Sequence, residues 1–302
     1  MEKKNVYQMV TDKIISQLEK GRIPWQKPWK ATGSDGHCIN YMSRKPYSLL
    51  NQFLLEWREG EYLTFNQIKQ LGGSIKKGAK SGMVVFFTMA KSSEKKVKDE
   101  DGEEKTVNHI QEYQFPVLRY YNVFHINDCV GIESKFQPVE ETEDVNVPLP
   151  VEVADNVVNG YVGRETHLKF QNDKPSNRAY YAPSLDQVVV PMLSQYEVVE
   201  LYYSTTFHEL THSTMHPDRC NRRAESGKVA AFGNEDYSRE ELVAELGASM
   251  LCQLTGLDCE KAFNNSVAYI QSWLKALRND NHMIVWAASR AEKAAKYIMG
   301  ES

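Results

Sequence analysis

Thr205-Thr206-Phe207-His208-Glu209-Leu210-Thr211-His212-Ser213 is the stretch on which the reading of this 302-residue chain turns. His208 and His212 stand four apart. On a helix both imidazoles therefore leave one face and can grip one metal ion. Glu209 follows the first histidine directly, where its carboxylate can reach a water on that metal as general base. Leu210 and Thr211 carry no charge, as a buried ligand helix requires. A zinc (Zn2+) hydrolase takes a third protein ligand and leaves a fourth position open.

That third ligand is sought downstream, in Tyr237-Ser238-Arg239-Glu240-Glu241-Leu242-Val243-Ala244-Glu245. Glu241 and Glu245 share a helical face with Ala244, Ala248 and Leu251, and carboxylates on an apolar face require a partner. Two assignments stand open on the residues alone. Ser238 and Glu241 can form a capping box, which leaves Glu245 to the metal. Alternatively, Glu241 is the ligand. The segment resembles the second helix of the gluzincins, E-x-x-[SA]-[DE]. That resemblance implies Glu241 as ligand and Glu245 as support for a ligand histidine. His216 reads as a residue of the site's rim, and Cys220 as a small buried hydrophobe.

Around this core the composition is that of a globular protein, 41% hydrophobic and 25% charged. No apolar run is long enough for a membrane span, and the N-terminal residues show no secretory h-region. Five scattered cysteines without a CxxC pair point to a reducing cytoplasm. Periodicity predicts helices over about 6–20, 49–57 and 151–160, from Ser194 (capped with Glu197) to about 215, from Ser238, and from 264 onward. Strands are expected over 83–89, 114–124, 179–182 and 187–190, with a charged hairpin between the first two. The fold class is α+β. The acidic, Pro-containing segment 134–150 reads as a linker between domains 1–133 and 151–302.

Charge divides the chain. Residues 1–91 hold 15 basic and 7 acidic side chains, 15 − 7 = +8, whereas 134–302 hold 16 and 24, 16 − 24 = −8. The basic part interleaves cations with rings: Trp25, Trp29 and Lys30, then Arg44 and Tyr47, then Lys76, Lys77 and Lys80. Single-strand binders combine a cationic track for phosphates with aromatic platforms for bases. These eight residues are the candidate DNA contacts. A basic face that recruits a protein substrate, or that only solubilises, is the competing reading.

Taken in order, the short segments Trp25-Gln26-Lys27-Pro28-Trp29, Pro46-Tyr47-Ser48-Leu49-Leu50-Asn51, Leu63-Thr64-Phe65-Asn66-Gln67 and Tyr120-Tyr121-Asn122-Val123-Phe124, followed by Phe207–His212 and Glu240–Glu245, resemble the ArdC-type antirestriction family. The resemblance implies an N-terminal single-stranded-DNA-binding domain, akin to the start of plasmid DNA primases, and a C-terminal zincin-like metallopeptidase domain. It also implies carriage on conjugative elements. Ser48 and His125 stand where family members often have Gly and Asn.

Overall fold

The structure is a computed structural model and describes residues 5–25, 37–89, 95–98, 104–107, 116–136, 149–222, 235–258 and 267–301. Asn5 caps α1 (Val6–Leu18) by accepting the Tyr7 N–H. Burial of Val10, Ile14 and Leu18 follows the helical period. β1 (Cys38–Asn40) and α2 (Leu49–Leu54) lead into β2 (Gly60–Thr64) and α3 (Phe65–Gln70). Thr64 and Gln67 close a capping box at the start of α3. After β3 (Ser74–Ile75), the long strands β4 (Gly82–Met89) and β7 (Pro116–His125) pair antiparallel. Between them lie β5 (Lys95–Lys98) and β6 (Glu104–Val107), the arms of the expected charged hairpin. β8 (Cys129–Val130) pairs with β3. The main sheet runs β1-β2-β7-β4, with β1 and β2 parallel.

The second half opens with α4 (Pro150–Arg164), Pro at its first turn. β9 (Lys169–Gln171), β10 (Tyr180–Ala182) and β11 (Gln187–Val189) form a sheet of order β10-β11-β9 that leaves β10 at an edge. Then come α5 (Val199–Ser213), α6 (Glu235–Leu254), α7 (Val267–Asn279) and α8 (Met283–Met299). Two helix starts differ from expectation. Ser194 lies in a short 3-10 turn, and α5 begins only after Val198, which makes no side-chain cap. α6 begins at Glu235, so Ser238 sits inside its first turn and cannot be the N-cap. The capping-box assignment of Glu241 falls with it. None of the described helices is long and apolar enough to cross a membrane.

The apolar packing does not stop where the two halves meet. α6 buries Leu242, Val243 and Leu246 in one core with Val10, Ile14, Trp25, Phe53 and Leu54 from the first half. Its next turns bury Ala248, Leu251 and Cys252 in a second core with Tyr161, Val188, Phe207 and Leu210. α8 is shared the same way, Ala287 and Ala291 on one side and Ala295 and Ile298 on the other. A helix buried on several faces has to be apolar nearly all round, and α6 beyond Glu241 is. Polar links add to the seam. Thr11 Oγ1 donates to the Asn281 carbonyl at 2.8 Å, and the Leu49 N–H donates to Glu292 at 3.1 Å. Tyr7 stacks on His282 at 3.8 Å.

The expected division into 1–133 and 151–302 is therefore not a division of the core. Of the expected linker, 137–148 lie outside the described residues. Ser134 and Lys135 belong to the first half: both donate to the fully buried Glu61, at 2.7 and 3.0 Å.

Candidate metal centre

α5 and α6 cross with their ligand faces toward each other. Gly247 makes the close approach possible: a Cβ there would lie 2.6 Å from Thr211 Cγ2. Four residues of spacing brings the His208 and His212 Nε2 atoms to 3.1 Å. The Glu241 carboxylate faces both from α6, Oε2 at 3.5 Å from His208 Nε2 and Oε1 at 3.4 Å from His212 Nε2. These three residues are the one metal-capable group among the described residues. Ligand atoms about 2.0–2.1 Å from a tetrahedral metal lie about 3.3 Å from one another. The observed spacings fit that requirement.

Each histidine has a carboxylate behind its other ring nitrogen. Glu245 Oε2 lies 3.8 Å from His208 Nδ1, and Glu240 Oε1 lies 3.5 Å from His212 Nδ1. Such partners fix ring orientation and raise ligand basicity. Both are held in turn. The Tyr269 hydroxyl donates to Glu245. Arg222 donates to Glu240 at 2.6 and 3.1 Å while bonding Thr214 Oγ1 and the Thr211 carbonyl at the end of α5. Glu240 and Arg222 were not predicted to take part. The signal was there in Glu240, next to Glu241, but it reads equally as a first-turn charge favoured by the helix dipole.

The electrostatics show a site rich in negative charge. Glu209, Glu240, Glu241 and Glu245 converge, with Arg222 the counter-charge named above. Burial opposes a proton on His212, yet Glu240 and Glu241 outweigh it and lift its pKa to about 10. Burial likewise works against ionised Glu241, but His208 and His212 hold it well below the carboxylate range. A divalent cation between these groups would meet charge already arranged for it. Glu209 is buried on the same helix, and desolvation raises its pKa. The backbone of Tyr181, on the edge strand β10, hydrogen-bonds its carboxylate. His216 lies past the end of α5 and pairs with Asp218 at 3.6 Å, outside the cluster. Cys220 is buried, as expected of a small hydrophobe.

The candidate DNA residues are not gathered in this way. Trp29 and Lys30 lie outside the described residues. Trp25 is 0% exposed and Tyr47 is 6% exposed, so neither ring offers a free face to a base. The reason is packing: Trp25 fills the shared core, and Tyr47 sits between Tyr62 and Phe86. Both are core rings here, a correction to their reading as platforms. Arg44 adopts positive φ and is paired to Glu61 and stacked over Phe136. Lys76, Lys77 and Lys80 are exposed; Lys76 donates to the Asn127 carbonyl at 2.6 Å. Lys80 lines a groove of about 690 Å³ with Lys13, Arg22, Arg58, Trp57 and His125. Among the described residues of the first half, the exposed aromatic side chains are instead Phe65 at the start of α3 and Phe86, Phe87, Tyr120 and Tyr121 on β4 and β7. Runs of consecutive aromatics in strands gave no sign of which ring would face solvent.

Comparison with known proteins bears on both halves. Residues 4–124 match the family model for the N-terminal domain of the anti-restriction factor ArdC. Residues 162–290 match that for a zincin-like metallopeptidase. Two crystal structures of the antirestriction protein ArdC from plasmid R388 resemble the chain over nearly all of both lengths, 99% of this chain and 98% of theirs. The metal-free form is 29% identical with a TM-score of 0.68, and the Mn(II)-bound form 28% identical with 0.71. Two Escherichia coli DNA primases named TraC are 27% and 28% identical over 98% of this chain. The chain spans only 20% and 27% of their lengths. An uncharacterized Sinorhizobium fredii protein, y4eC, is 27% identical over 97% of this chain and 91% of its own.

Proposed function

We propose, because the chain belongs to the ArdC-type family, with an ArdC N-terminal domain and a zincin-like metallopeptidase domain, that it is a cytoplasmic antirestriction protein. In this reading it holds single-stranded DNA with its basic first half and carries a zinc-dependent peptidase centre in its second. The observation that carries the second part is the convergence of His208, His212 and Glu241 with the buried carboxylate of Glu209 beside them. A purely structural site needs ligands only. A general base placed one residue from a ligand is the arrangement of a hydrolase.

A metal bound there supplies Lewis acidity toward a peptide carbonyl. His208 and His212 hold it, each oriented from behind by Glu245 or Glu240, and Glu241 completes the set. Glu209 takes the proton of the attacking water. Its desolvated position keeps its pKa raised, which suits a group that must both accept and return a proton. The edge strand β10 lies beside Glu209, and among the described residues only β11 pairs with it, so an extended peptide can add there as a further strand.

The test for the site is metal content and hydrolysis of an unstructured protein substrate. Wild-type protein should bind about one Zn2+ per chain, with Mn2+ as the comparison ion. Glu209→Gln should keep the metal and lose hydrolysis. His208→Ala should lose both. Hydrolysis undiminished in Glu209→Gln would remove the proposed base. The DNA reading is tested by binding single- and double-stranded oligonucleotides across a salt series, where a preference for single strands is expected.

A further inference from the structure

The groove beside Lys80 takes no part in the metal centre. Its volume is about 690 Å³, and four separate stretches of the first half line it with cations. Lys13 comes from α1, Arg22 from the turn after it, Arg58 from the turn after α2, and Lys80 from the turn between β3 and β4. Against these four the lining holds one acid, Glu56.

The four cations are unequally committed. Arg58 is held by Asp128 at 2.7 and 3.3 Å. Lys13 lies 3.8 Å from Glu56, beyond hydrogen-bond reach; burial lowers its pKa and Glu56 only partly opposes that. Arg22 and Lys80 are exposed and form no ion pair among the described residues. Two cations therefore stand free and a third is poorly compensated, an arrangement that attracts anions.

The anion it suits is a chain. Small phosphate sites are built from converging backbone N–H groups or a helix N-terminus. Here the N–H groups of Glu56, Trp57 and Arg58 already donate to the Phe53, Gln52 and Leu55 carbonyls, and that of Arg22 to Gln17. Long side chains from distant segments surround the space instead. Glu56 and Trp57 both adopt positive φ, 54° and 56°, where the chain turns into the groove wall. Such backbone is costly for residues with side chains and concentrates at functional sites. Rings lead away from the groove. Tyr62 in its wall stands 6.3 Å from Tyr47, Tyr47 6.1 Å from Phe86, and Phe86 6.0 Å from Tyr121, between ring centroids. Phe86 and Tyr121 are exposed, and Arg119 is the register partner of Phe86. Cations for phosphates with exposed rings for bases are what a single strand requires, whereas an acidic peptide would leave the rings unused.

We propose that a single strand of nucleic acid lies in this groove, with two of its phosphates on Arg22 and Lys80 and neighbouring bases on Phe86 and Tyr121. The proposal rests on the single-strand reading of the first half and gives that reading a location. Glu56 opposes the strand, and Lys13 is released toward it when Glu56 is neutralised.

The experiment uses the full-length protein and reads binding of labelled oligothymidylate by fluorescence anisotropy across a salt series, alongside the thermal midpoint. Arg22→Ala with Lys80→Ala should flatten the salt slope by about 1.4, about 0.7 for each phosphate. The same slope makes the loss of affinity about 25-fold near 0.1 M salt, vanishing toward 1 M. Arg22→Lys with Lys80→Arg should restore both. Glu56→Gln should tighten binding by about 2- to 5-fold, a gain that lost packing would not produce, and it serves where the double alanine variant does not fold. Affinity of the double alanine variant within twofold of wild type at an unchanged slope, or no gain in Glu56→Gln, would overturn the groove and leave single-strand binding standing. Displacement by dTMP or by an oligoglutamate peptide as effective, charge for charge, as by unlabelled oligothymidylate would overturn the strand as occupant. A wild-type protein that binds no single strand overturns both the groove and the reading beneath it.

Discussion

Gly247 sits where α6 crosses α5, six residues after Glu241 and against the middle of the H-E-L-T-H segment. A methyl added there would meet Thr211 Cγ2 at 2.6 Å, Oγ1 at 2.7 Å and Cβ at 3.2 Å. Carbon atoms prefer about 3.5–4.0 Å, so the helices must part by about 1 Å. Thr211 cannot yield by rotating, since it is fully buried and its hydroxyl donates to the Phe207 carbonyl at 2.7 Å. Overpacking costs about 1–3 kcal/mol, and the helix preference of Ala over Gly returns about 1 kcal/mol. With Thr211 pinned, the cost lies toward the upper end. Gly247→Ala should therefore lose about 1–2 kcal/mol net. That is a drop of about 2–3 °C in thermal midpoint for a chain of this size. The same displacement carries Glu241 away from His208 and His212, and metal affinity should fall about tenfold. Gly163→Ala is the control. It lies in α4 with nothing within 4 Å of the new methyl, and should gain up to about 1 kcal/mol. Scanning calorimetry and indicator competition on both variants decide the matter. If Gly247→Ala is as stable as Gly163→Ala and binds metal as wild type does, the close crossing of α5 and α6 is not what sets the ligand geometry.

Three other outcomes are expected. The His212 pKa of about 10 lies above its ordinary value of 6.5, so the stability it contributes to the metal-free protein is fully present below pH 6.5 and is lost as pH rises toward 10. Because metal must displace that proton, apparent metal affinity should rise about tenfold per pH unit over pH 7–9, and a flat profile would contradict the assignment. A fragment of residues 1–136 should fail to give a cooperative thermal transition, because Val10, Ile14, Trp25 and Phe53 lose the α6–α8 side of their core; a well-dispersed NMR spectrum of the fragment would show otherwise. Lys76→Ala with Lys77→Ala should weaken all single-stranded oligonucleotides alike, read by fluorescence anisotropy. The salt slope should shrink by about 0.7 for each phosphate that the two lysines neutralise in the wild type.

The candidate ligand histidines were legible in the sequence because helical periodicity is local. Four residues of spacing fixes which side chains share a face, whatever packs around them. The shared face of His208 and His212, with Glu209 beside it, follows from that alone. The choice between Glu241 and Glu245 did not. It depends on where α6 begins and how it crosses α5: Ser238 falls inside the helix, and Glu241 is the carboxylate that faces both histidine Nε2 atoms. Glu240 and Arg222 were hidden for a related reason: their partners lie 28 and 18 residues away along the chain, on other elements.

The rings of the first half show the opposite limit. Trp25, Tyr47 and Phe86 look alike in a sequence, each aromatic and near a cation, yet two are core and one is exposed. Burial is a property of the assembled surface, and here that surface includes helices more than 200 residues downstream of Trp25. The sequence by itself determined the α+β class, the helix that puts His208 and His212 on one face and the basic bias of residues 1–91, because each is a sum or a short-range period. Only the tertiary structure decided that the two halves share a core, that Glu240 lies behind His212, and that Trp25 packs inside that core instead of facing solvent. These depend on long-range contacts, which no local period encodes.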